Sequence, residues 1–230
     1  MGTGASGLPK TSKFADFGGH HEALQKSTEF FHKHSNSDTW SKDELTDDER
    51  ESIVDYTGSL YHSINDALYN TKYEDMSSWV KRDVDNIQSG LNKFVLEKGI
   101  QVTRQCDFQI FGAAKHESMT ISQIKDFIKN NADPKDGTLQ QDGFLSAGAN
   151  NHGAAIAGSG LVITIKVPAS IGAGAYVNPI SLMSGAGENE FLFNCYSRFK
   201  FDTSSMWTDS SGKIHINAIW KGRGRKQSFA

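Results

Sequence analysis

Glu188 and Glu190, near the end of the chain, are the side chains best spaced for joint chemistry. They stand at positions i and i+2 of GAGENEFLF, after a glycine-rich turn and at the start of a β-rich run. On an extended backbone, side chains at this spacing point to one side, roughly 7 Å apart. One carboxylate can then stabilise a cationic centre while the other takes a proton. Considered alone, such a pair is more often a solvated acidic turn.

An arginine and a serine in the middle of the chain could act together with these acids. Arg104 ends the strand-like segment GIQVTR, and a half-buried arginine suits phosphate or carboxylate because its planar fork bonds bidentately. Ser146 follows Gly143-Phe144-Leu145, and its hydroxyl could orient a neighbouring carboxylate. Each residue alone has a simpler structural role, as an ion pair between lobes for Arg104 and as a strand-end turn for Ser146.

Other possible sites have weaker signals. His20, His21, His32 and His34 cluster in the sequence, but no H-E-x-x-H is present, and His32 and His34 would diverge on a helix, so we expect no metal. The glycines of GAGAY and GSGLV do not form G-x-G-x-x-G, which argues against a Rossmann dinucleotide site. The basic tail KGRGRKQ is typical of a solvated end.

The composition limits the possible partners. The 230 residues carry a formal charge of -3, which makes nucleic acid an unexpected partner. Cys106 and Cys195 are the two cysteines, so a disulfide framework is not expected. The longest apolar stretch, Leu161 to Val167, is far too short to cross a membrane. We therefore expect a soluble chain with no membrane partner.

The first part of the chain has the periodicity of helices. Thr46 and Glu49 form a capping box, and the apolar residues that follow predict one helix over 46–70. A second stripe comprises Val84, Ile87, Leu91 and Phe94, and a weaker one runs from Leu24 to Phe31. We expect a flexible leader over 1–12 and a helical lobe over 13–98.

After Gly99 the pattern changes to short apolar runs separated by turn residues. These runs predict strands at 100–104, 143–147, 160–167, 176–181, 190–193, 197–202 and 213–220. A helix is predicted over 121–130, and Asp209 to Gly212 should turn a closing hairpin. The expected fold is α+β, with the helical lobe packed on a mostly antiparallel two-sheet sandwich over 99–221 and a basic tail over 222–230.

Taken in order, four segments resemble the Arg/Ser/Glu-type ADP-ribosyltransferases, which include the clostridial binary-toxin enzymes, the Rho-modifying exoenzymes and the Alt transferase of T-even phages. LTDDERESIVDYTGSLYHSINDALYN resembles the leading helix of the family, and GIQVTRQCDF its arginine strand. DGFLSAG resembles the Ser-Thr-Ser strand, and AGENEFLFNCYSRFKF the E-x-E turn with its strand pair. The resemblance spans roughly residues 45–220 and implies an ADP-ribosyltransferase core that uses NAD as its substrate.

The resemblance assigns roles to five residues. Arg104 would contact the phosphates and ribose of NAD, and the main chain of Gln105 would hold the carboxamide. Glu190 would bond the ribose and stabilise the oxocarbenium-like state formed as nicotinamide leaves, with Ser146 orienting its carboxylate. Glu188 occupies the position that selects arginine acceptors.

The resemblance also places Tyr61, Asn65, Gly143 and Phe144 at the NAD site. The Ser-Thr-Ser triplet is here Ser146-Ala147-Gly148, which lacks two of the three hydroxyls. Support for the catalytic acid must therefore come from other residues.

Three functions are compatible with these observations. The leading hypothesis is an arginine-directed mono-ADP-ribosyltransferase, a bacterial or phage effector that modifies a protein in the cytoplasm of a target or host cell. Its partner would be an acceptor protein, with an immunity protein as a further candidate. The alternatives are an NAD glycohydrolase toxin and a non-catalytic binding domain with the same fold.

Overall fold

The computed structural model describes residues 14–151, 160–182 and 189–224. Helices fill the first part of the chain and return once among the strands. The α-helices are α1 (His20–His34), α2 (Ser37–Thr39), α3 (Asp47–Asp55), α4 (Tyr61–Asn70), α5 (Ser78–Asn92) and α6 (Ile121–Asn131). Two π-helical segments, Trp40–Glu44 and Tyr56–Leu60, and two 3₁₀ turns, Tyr73–Asp75 and Phe108–Phe111, connect or extend them.

Strands follow from residue 95 onward. They are β1 (Val95–Leu96), β2 (Ile100–Cys106), β3 (Leu139–Gln141), β4 (Leu145–Gly148), β5 (Leu161–Val167), β6 (Ser170–Ile171), β7 (Gly174–Tyr176), β8 (Glu190–Phe193), β9 (Ser197–Thr208) and β10 (Ile214–Arg223). β1 and β6 form a small two-stranded sheet, and the other eight share one sheet in the order β3-β9-β10-β5-β2-β4-β8-β7.

The large sheet has two halves that meet at a narrow seam. β2 pairs with β5 over seven residues, but it pairs with β4 only through Thr103 and Gly148. One half is therefore β3-β9-β10-β5-β2 and the other is β4-β8-β7. All neighbours are antiparallel except β5 and β10. The structure confirms the predicted α+β class, with N-terminal helices on a mostly antiparallel core.

Local capping explains where two of the helices begin. Thr46 accepts a hydrogen bond from the Glu49 amide while the Glu49 carboxylate accepts one from the Thr46 amide, and Thr120 and Gln123 do the same for α6. Each arrangement satisfies two amides that lack a partner within the helix. The capping box and the helix expected at 121–130 are therefore confirmed.

The single helix predicted over 46–70 is wrong in one respect. Its backbone passes through the π-helical segment Tyr56–Leu60 between α3 and α4. Apolar residues recur at nearly the same intervals on both sides of this segment, so the periodicity did not reveal the extra residue in the turn.

The strand predicted over 176–181 is also wrong. β7 covers Gly174–Tyr176, and the amides of Ile180 and Ser181 turn back to the Val177 carbonyl. Pro179 lies in this segment and cannot donate to a sheet ladder, which disfavours a strand there. The short strands β1, β3 and β6 were not predicted, and Phe94 lies beyond the end of α5.

Aromatic rings join the helices to the sheet. Phe31 of α1 stacks on Tyr176 of β7 with ring centroids 4.1 Å apart, and it also approaches Phe94 and Phe191. Together with Phe193, these rings are almost fully buried. Aromatic burial of this kind dominates core energetics, so α1 is an integral part of the fold. Among the described residues, none of the helices is long and apolar enough to cross a membrane.

Candidate active site

Arg104, Ser146 and Glu190 form a continuous hydrogen-bonded chain. Arg104 Nη1 donates to the main-chain oxygen of Ser146 at 2.6 Å, and Ser146 Oγ donates to Glu190 Oε1 at 2.5 Å. Arg104 and Ser146 are partly buried, and Glu190 is 4% exposed. Hydrogen bonds to an ionised group are stronger than neutral ones, so the serine fixes the orientation of the carboxylate.

The register of β4 and β8 brings the serine to the glutamate. Ser146 lies opposite Leu192, and Gly148 lies opposite Glu190. Ser146 and Glu190 are therefore diagonal neighbours on one face of the sheet, within reach of each other's side chains. Because Gly148 has no side chain, the carboxylate of Glu190 has room to lean toward Ser146.

Two helix residues hold the beginning of β4. Asn65 Oδ1 accepts from the Phe144 amide at 3.0 Å, and Asn65 Nδ2 donates to the Phe144 carbonyl at 3.1 Å. The Tyr56 hydroxyl donates to the same carbonyl at 3.3 Å and accepts from Asn65 Nδ2 at 3.0 Å. Asn65 therefore satisfies both main-chain polar groups of Phe144, two residues before Ser146.

The π-helical segment makes this shared contact possible. Tyr56 and Asn65 are nine residues apart, and on a straight α-helix such positions face about 180° away from each other. The wider π-helical turn at Tyr56–Leu60 changes the angle between the two side chains about the helix axis. Both side chains therefore reach the Phe144 carbonyl. π-Helical insertions often occur at functional sites, and this one lies beside the candidate site.

Gly143 is enclosed by the same helix. A Cβ at this position would lie 2.7 Å from the Tyr69 hydroxyl and 2.8 Å from Asn65 Oδ1. A Cβ at this position would displace these two side-chain ends, including the Asn65 oxygen that bonds Phe144, so the close approach favours glycine. The Phe144 ring is buried and packs edge-on against Tyr56, with ring centroids 5.3 Å apart. Gly143 and Phe144 thus act on the strand and helix in this structure, and their contact with a ligand remains a prediction.

Both tyrosines beside Arg104 remain neutral. Burial raises the pKa of Tyr56 well above its usual value, and the nearby Glu190 carboxylate raises it further, while Asn65 and Arg104 oppose the shift. Burial also raises the pKa of Tyr69, again opposed by Arg104. These phenols therefore serve as uncharged hydrogen-bonding groups, leaving the charge of the site to Arg104 and Glu190.

The remaining predicted residues have different surroundings. Gln105 follows Arg104 on β2, and its Oε1 accepts from Lys213 Nζ at 2.8 Å. Tyr61 is 42% exposed and its ring lies against His62, so it is separate from the contacts around Phe144. Glu188 lies outside the described residues. The roles of all three remain predictions.

Sequence reasoning missed Tyr56, Tyr69 and Asn189. Tyr56 falls among the regularly spaced apolar residues of the predicted helix and was therefore interpreted as a core residue. Tyr69 belongs to no motif that indicates a site. Asn189, between the two glutamates, is 1% exposed and has a positive φ of 52°. Asparagine tolerates this backbone conformation better than most residues, which was the available signal.

Neither metal nor disulfide chemistry is indicated by the described side chains. Over residues 14–151, 160–182 and 189–224, no three His, Cys, Asp or Glu side chains come together as metal ligands. His32 pairs with Asp38, and His34 lies near Lys98; the side chains of His20 and His21 are not described. Cys106 and Cys195 are both buried free thiols.

The site therefore offers a fixed cation and a fixed anion held in one hydrogen-bonded chain. A guanidinium suits the phosphate oxygens of a substrate because it stays charged and bonds bidentately. A buried, oriented carboxylate suits positive charge that develops at a reacting carbon. Together these groups fit a substrate that has both anionic phosphates and a cationic reacting centre.

Comparisons with known proteins identify the family and the fold of the chain. The ADP-ribosyltransferase exoenzyme family matches residues 32–221. No curated protein sequence matches the chain.

Three solved structures illustrate the similarity of fold. Plx2a, an ADP-ribosyltransferase toxin from Paenibacillus larvae, is 21% identical with a TM-score of 0.72, covering 91% of this chain and 100% of its own. The C3 exoenzyme of Clostridium limosum is 20% identical with a TM-score of 0.69, covering 91% and 98%. C3stau2 from S. aureus, solved with NAD, is 15% identical with a TM-score of 0.68, covering 92% and 100%.

The family match covers most of the chain, and the fold agrees over nearly all of it. The phage part of the resemblance is not tested by these structures and remains a prediction. The chain belongs to the ADP-ribosyltransferase exoenzyme family.

Proposed function

We propose that this protein transfers a single ADP-ribose from NAD to an arginine side chain of an acceptor protein and releases nicotinamide. The observation that carries this proposal is the chain from the Arg104 guanidinium through Ser146 to the Glu190 carboxylate. In a member of the ADP-ribosyltransferase exoenzyme family, this arrangement supports a phosphate-binding role for the guanidinium and a catalytic role for the oriented acid.

NAD fits the charges of this site. Its pyrophosphate is anionic and its nicotinamide ring is cationic, so it needs both kinds of protein charge. Arg104 would hold the phosphate side, and the main chain of Gln105 the carboxamide. C3stau2 is described with NAD, and a binary enterotoxin component of C. perfringens with NADH, which supports a dinucleotide in the same fold.

Glu190 would stabilise the positive charge that develops on the ribose as nicotinamide leaves. The bond between the ribose carbon and the nicotinamide nitrogen breaks, and its electron pair leaves with nicotinamide. The carboxylate is already oriented by Ser146, so little reorganisation is needed during the reaction. Such preorganisation favours the transition state over the bound substrate.

Glu188 would prepare the acceptor. A guanidinium is almost always protonated and is a poor nucleophile until a base takes its proton. A carboxylate can first bind the guanidinium bidentately and then accept that proton as the new carbon–nitrogen bond forms. Asn189, between the two acids, has a positive φ, so the extended spacing expected from the sequence does not hold there. An acceptor held by Glu188 would still approach the ribose from the turn that immediately precedes Glu190.

The biological setting follows from this activity as part of the proposal. The acceptor would be a protein in the cytoplasm of a target or host cell, reached by a bacterial or phage effector. An immunity protein in the producing cell would be a second partner.

Glu188→Gln tests whether Glu188 serves the acceptor while Glu190 serves NAD cleavage. The variant should lose arginine modification and keep much of its NAD hydrolysis, because Arg104, Ser146 and Glu190 are unchanged. Transfer to an arginine-containing protein and release of free ADP-ribose should be measured on the same preparation, with wild type alongside.

Other results of these two assays would favour an alternative function or a different role for Glu188. Wild type that only hydrolyses NAD would identify an NAD glycohydrolase, and wild type with neither activity would identify a binding domain. Equal loss of transfer and hydrolysis in Glu188→Gln would assign Glu188 to NAD cleavage itself.

A further inference from the structure

Asn189 connects the catalytic glutamate to the core of the molecule. It stands immediately before Glu190, where the chain enters β8, and its backbone has a positive φ of 52°. Its carbonyl accepts from the Ala149 amide at 2.8 Å, which extends the pairing of β4 and β8 by one step. The side chain is 1% exposed, so it points into the protein while the following residue serves the site.

Three side-chain hydrogen bonds surround this asparagine. Its Oδ1 accepts from the Tyr176 hydroxyl at 2.6 Å and from the Ser27 hydroxyl at 2.8 Å. Its Nδ2 donates to the Ala149 carbonyl at 2.6 Å. An amide is needed for this pattern because it accepts two bonds on one atom and donates from the other.

The partners come from three separate elements. Ser27 lies on α1, Tyr176 on β7 and Ala149 just beyond β4. Ser27 lies before residues 32–221, the segment that the family model matches. Stacking of Phe31 on Tyr176 fixes α1 against β7 and keeps the two hydroxyls together.

We propose that Asn189 is a positioning residue that holds the Glu190 carboxylate in place by anchoring the residue before it to α1, β7 and β4. The proposal rests on the proposed function for the role of Glu190. It also identifies a source of support for the acid in a chain whose Ser-Thr-Ser triplet is reduced to Ser146-Ala147-Gly148. Asn189 contacts the supporting structure and not the reacting atoms.

The test compares Asn189→Gly with Asn194→Ala. Glycine tolerates the positive φ, so Asn189→Gly removes the side-chain anchor without adding backbone strain. Asn194 is the matched control: it is fully buried at the other end of β8, and its amide donates to Asn92 Oδ1 at 3.0 Å.

Asn189→Gly should reduce kcat for nicotinamide release about 10²-fold, because the Glu190 carboxylate would no longer be held in place. A displacement of about 1 Å at a reacting group can reduce the rate by this factor. The KM for NAD should stay within about twofold, since the site that binds the ground state is unchanged. Asn194→Ala should lose thermal stability but keep its kcat when assayed below its melting temperature. Ser27→Ala, which removes one donor, should show a smaller kcat loss in the same direction.

A folded Asn189→Gly variant with unchanged kcat would overturn the proposal, as would an equal kcat loss in Asn194→Ala. Hydrogen–deuterium exchange gives a second readout that does not depend on activity. The Ala149 and Val177 amides, bonded to the Asn189 and Glu190 carbonyls, should exchange faster in Asn189→Gly and not in Asn194→Ala. If wild type does not cleave NAD, the proposed function fails. Unchanged exchange at these amides in Asn189→Gly would separately show that the Asn189 side chain does not anchor the start of β8.

Discussion

The strands and the helices contribute different kinds of group to the candidate active site. β2, β4 and β8 carry Arg104, Ser146 and Glu190, so both charges of the site lie on the sheet. The helical region contributes Tyr56 and Asn65, which are neutral and bond the main chain at the start of β4. The sheet supplies the reacting charges, and the helices fix the strand that holds them.

This difference predicts different consequences of mutation. Losing a charged group on the sheet should change the reaction while the fold survives. Losing a neutral group on the helices should change stability first, because a main-chain group is left without its partner.

Glu190→Gln should reduce nicotinamide release by about 10²-fold or more, because the amide cannot stabilise the developing positive charge. Steady-state kinetics with NAD measures this loss. Glu49→Gln is the control, since Glu49 is another buried glutamate that pairs with Lys93 far from the site. The control should lower stability and leave kcat unchanged; near-normal NAD cleavage by folded Glu190→Gln would remove Glu190 from the chemistry.

Arg104→Lys should weaken NAD binding roughly 30-fold, because a point ammonium cannot bond the Ser146 oxygen and also bind phosphate oxygens as the proposed function requires. Calorimetric titration with NAD measures the affinity. Arg198→Lys provides a matched change on β9, where the arginine pairs with Asp133 and Asp136. Unchanged affinity in Arg104→Lys would place the phosphates elsewhere.

Ser146→Ala should reduce kcat about tenfold, since Glu190 loses one hydrogen bond to a charged oxygen but keeps its backbone position. The control is Ser197→Ala, a buried serine whose hydroxyl donates to the Asn194 carbonyl at 2.6 Å. Both variants should remain folded. A kcat for Ser146→Ala equal to that of the control would show that the serine does not orient the acid.

On the helix side, Tyr56→Phe should cost about 1 kcal/mol of unfolding free energy and Asn65→Ala about 2 kcal/mol. The Phe144 amide bonds to Asn65, whereas the Phe144 carbonyl bonds to both Tyr56 and Asn65. Chemical denaturation measures the two values. If Tyr56→Phe lost more unfolding free energy than Asn65→Ala, the Tyr56 hydroxyl would be the more important support of Phe144.

The sequence allowed the sheet side of this comparison to be predicted more fully than the helix side. Arg104, Ser146 and Glu190 were recognised because each lies in a strand-like run next to turn residues, in an order that resembles a family. The register that brings Ser146 diagonal to Glu190 depends on strand pairing, which the sequence did not specify. The π-helical segment gave no periodic signal, so the meeting of Tyr56 and Asn65 was not foreseen.

Long-range contacts were the least predictable part. Ser27 and Asn189 are separated by 162 positions, and nothing in their local sequences indicates that they meet. The error at 176–181 was avoidable, since Pro179 argues against a strand. The three residues that local pattern indicated lie together in the structure, whereas contacts that depend on tertiary packing were not predicted.

The most direct test of the proposed function is residue-level mass spectrometry of cell-lysate proteins incubated with the wild-type protein and NAD. We expect an ADP-ribose mass gain on protein arginine side chains, and we expect no such gain when Glu190→Gln replaces wild type. Release of free ADP-ribose without any modified protein, or modification confined to residues other than arginine, would contradict it.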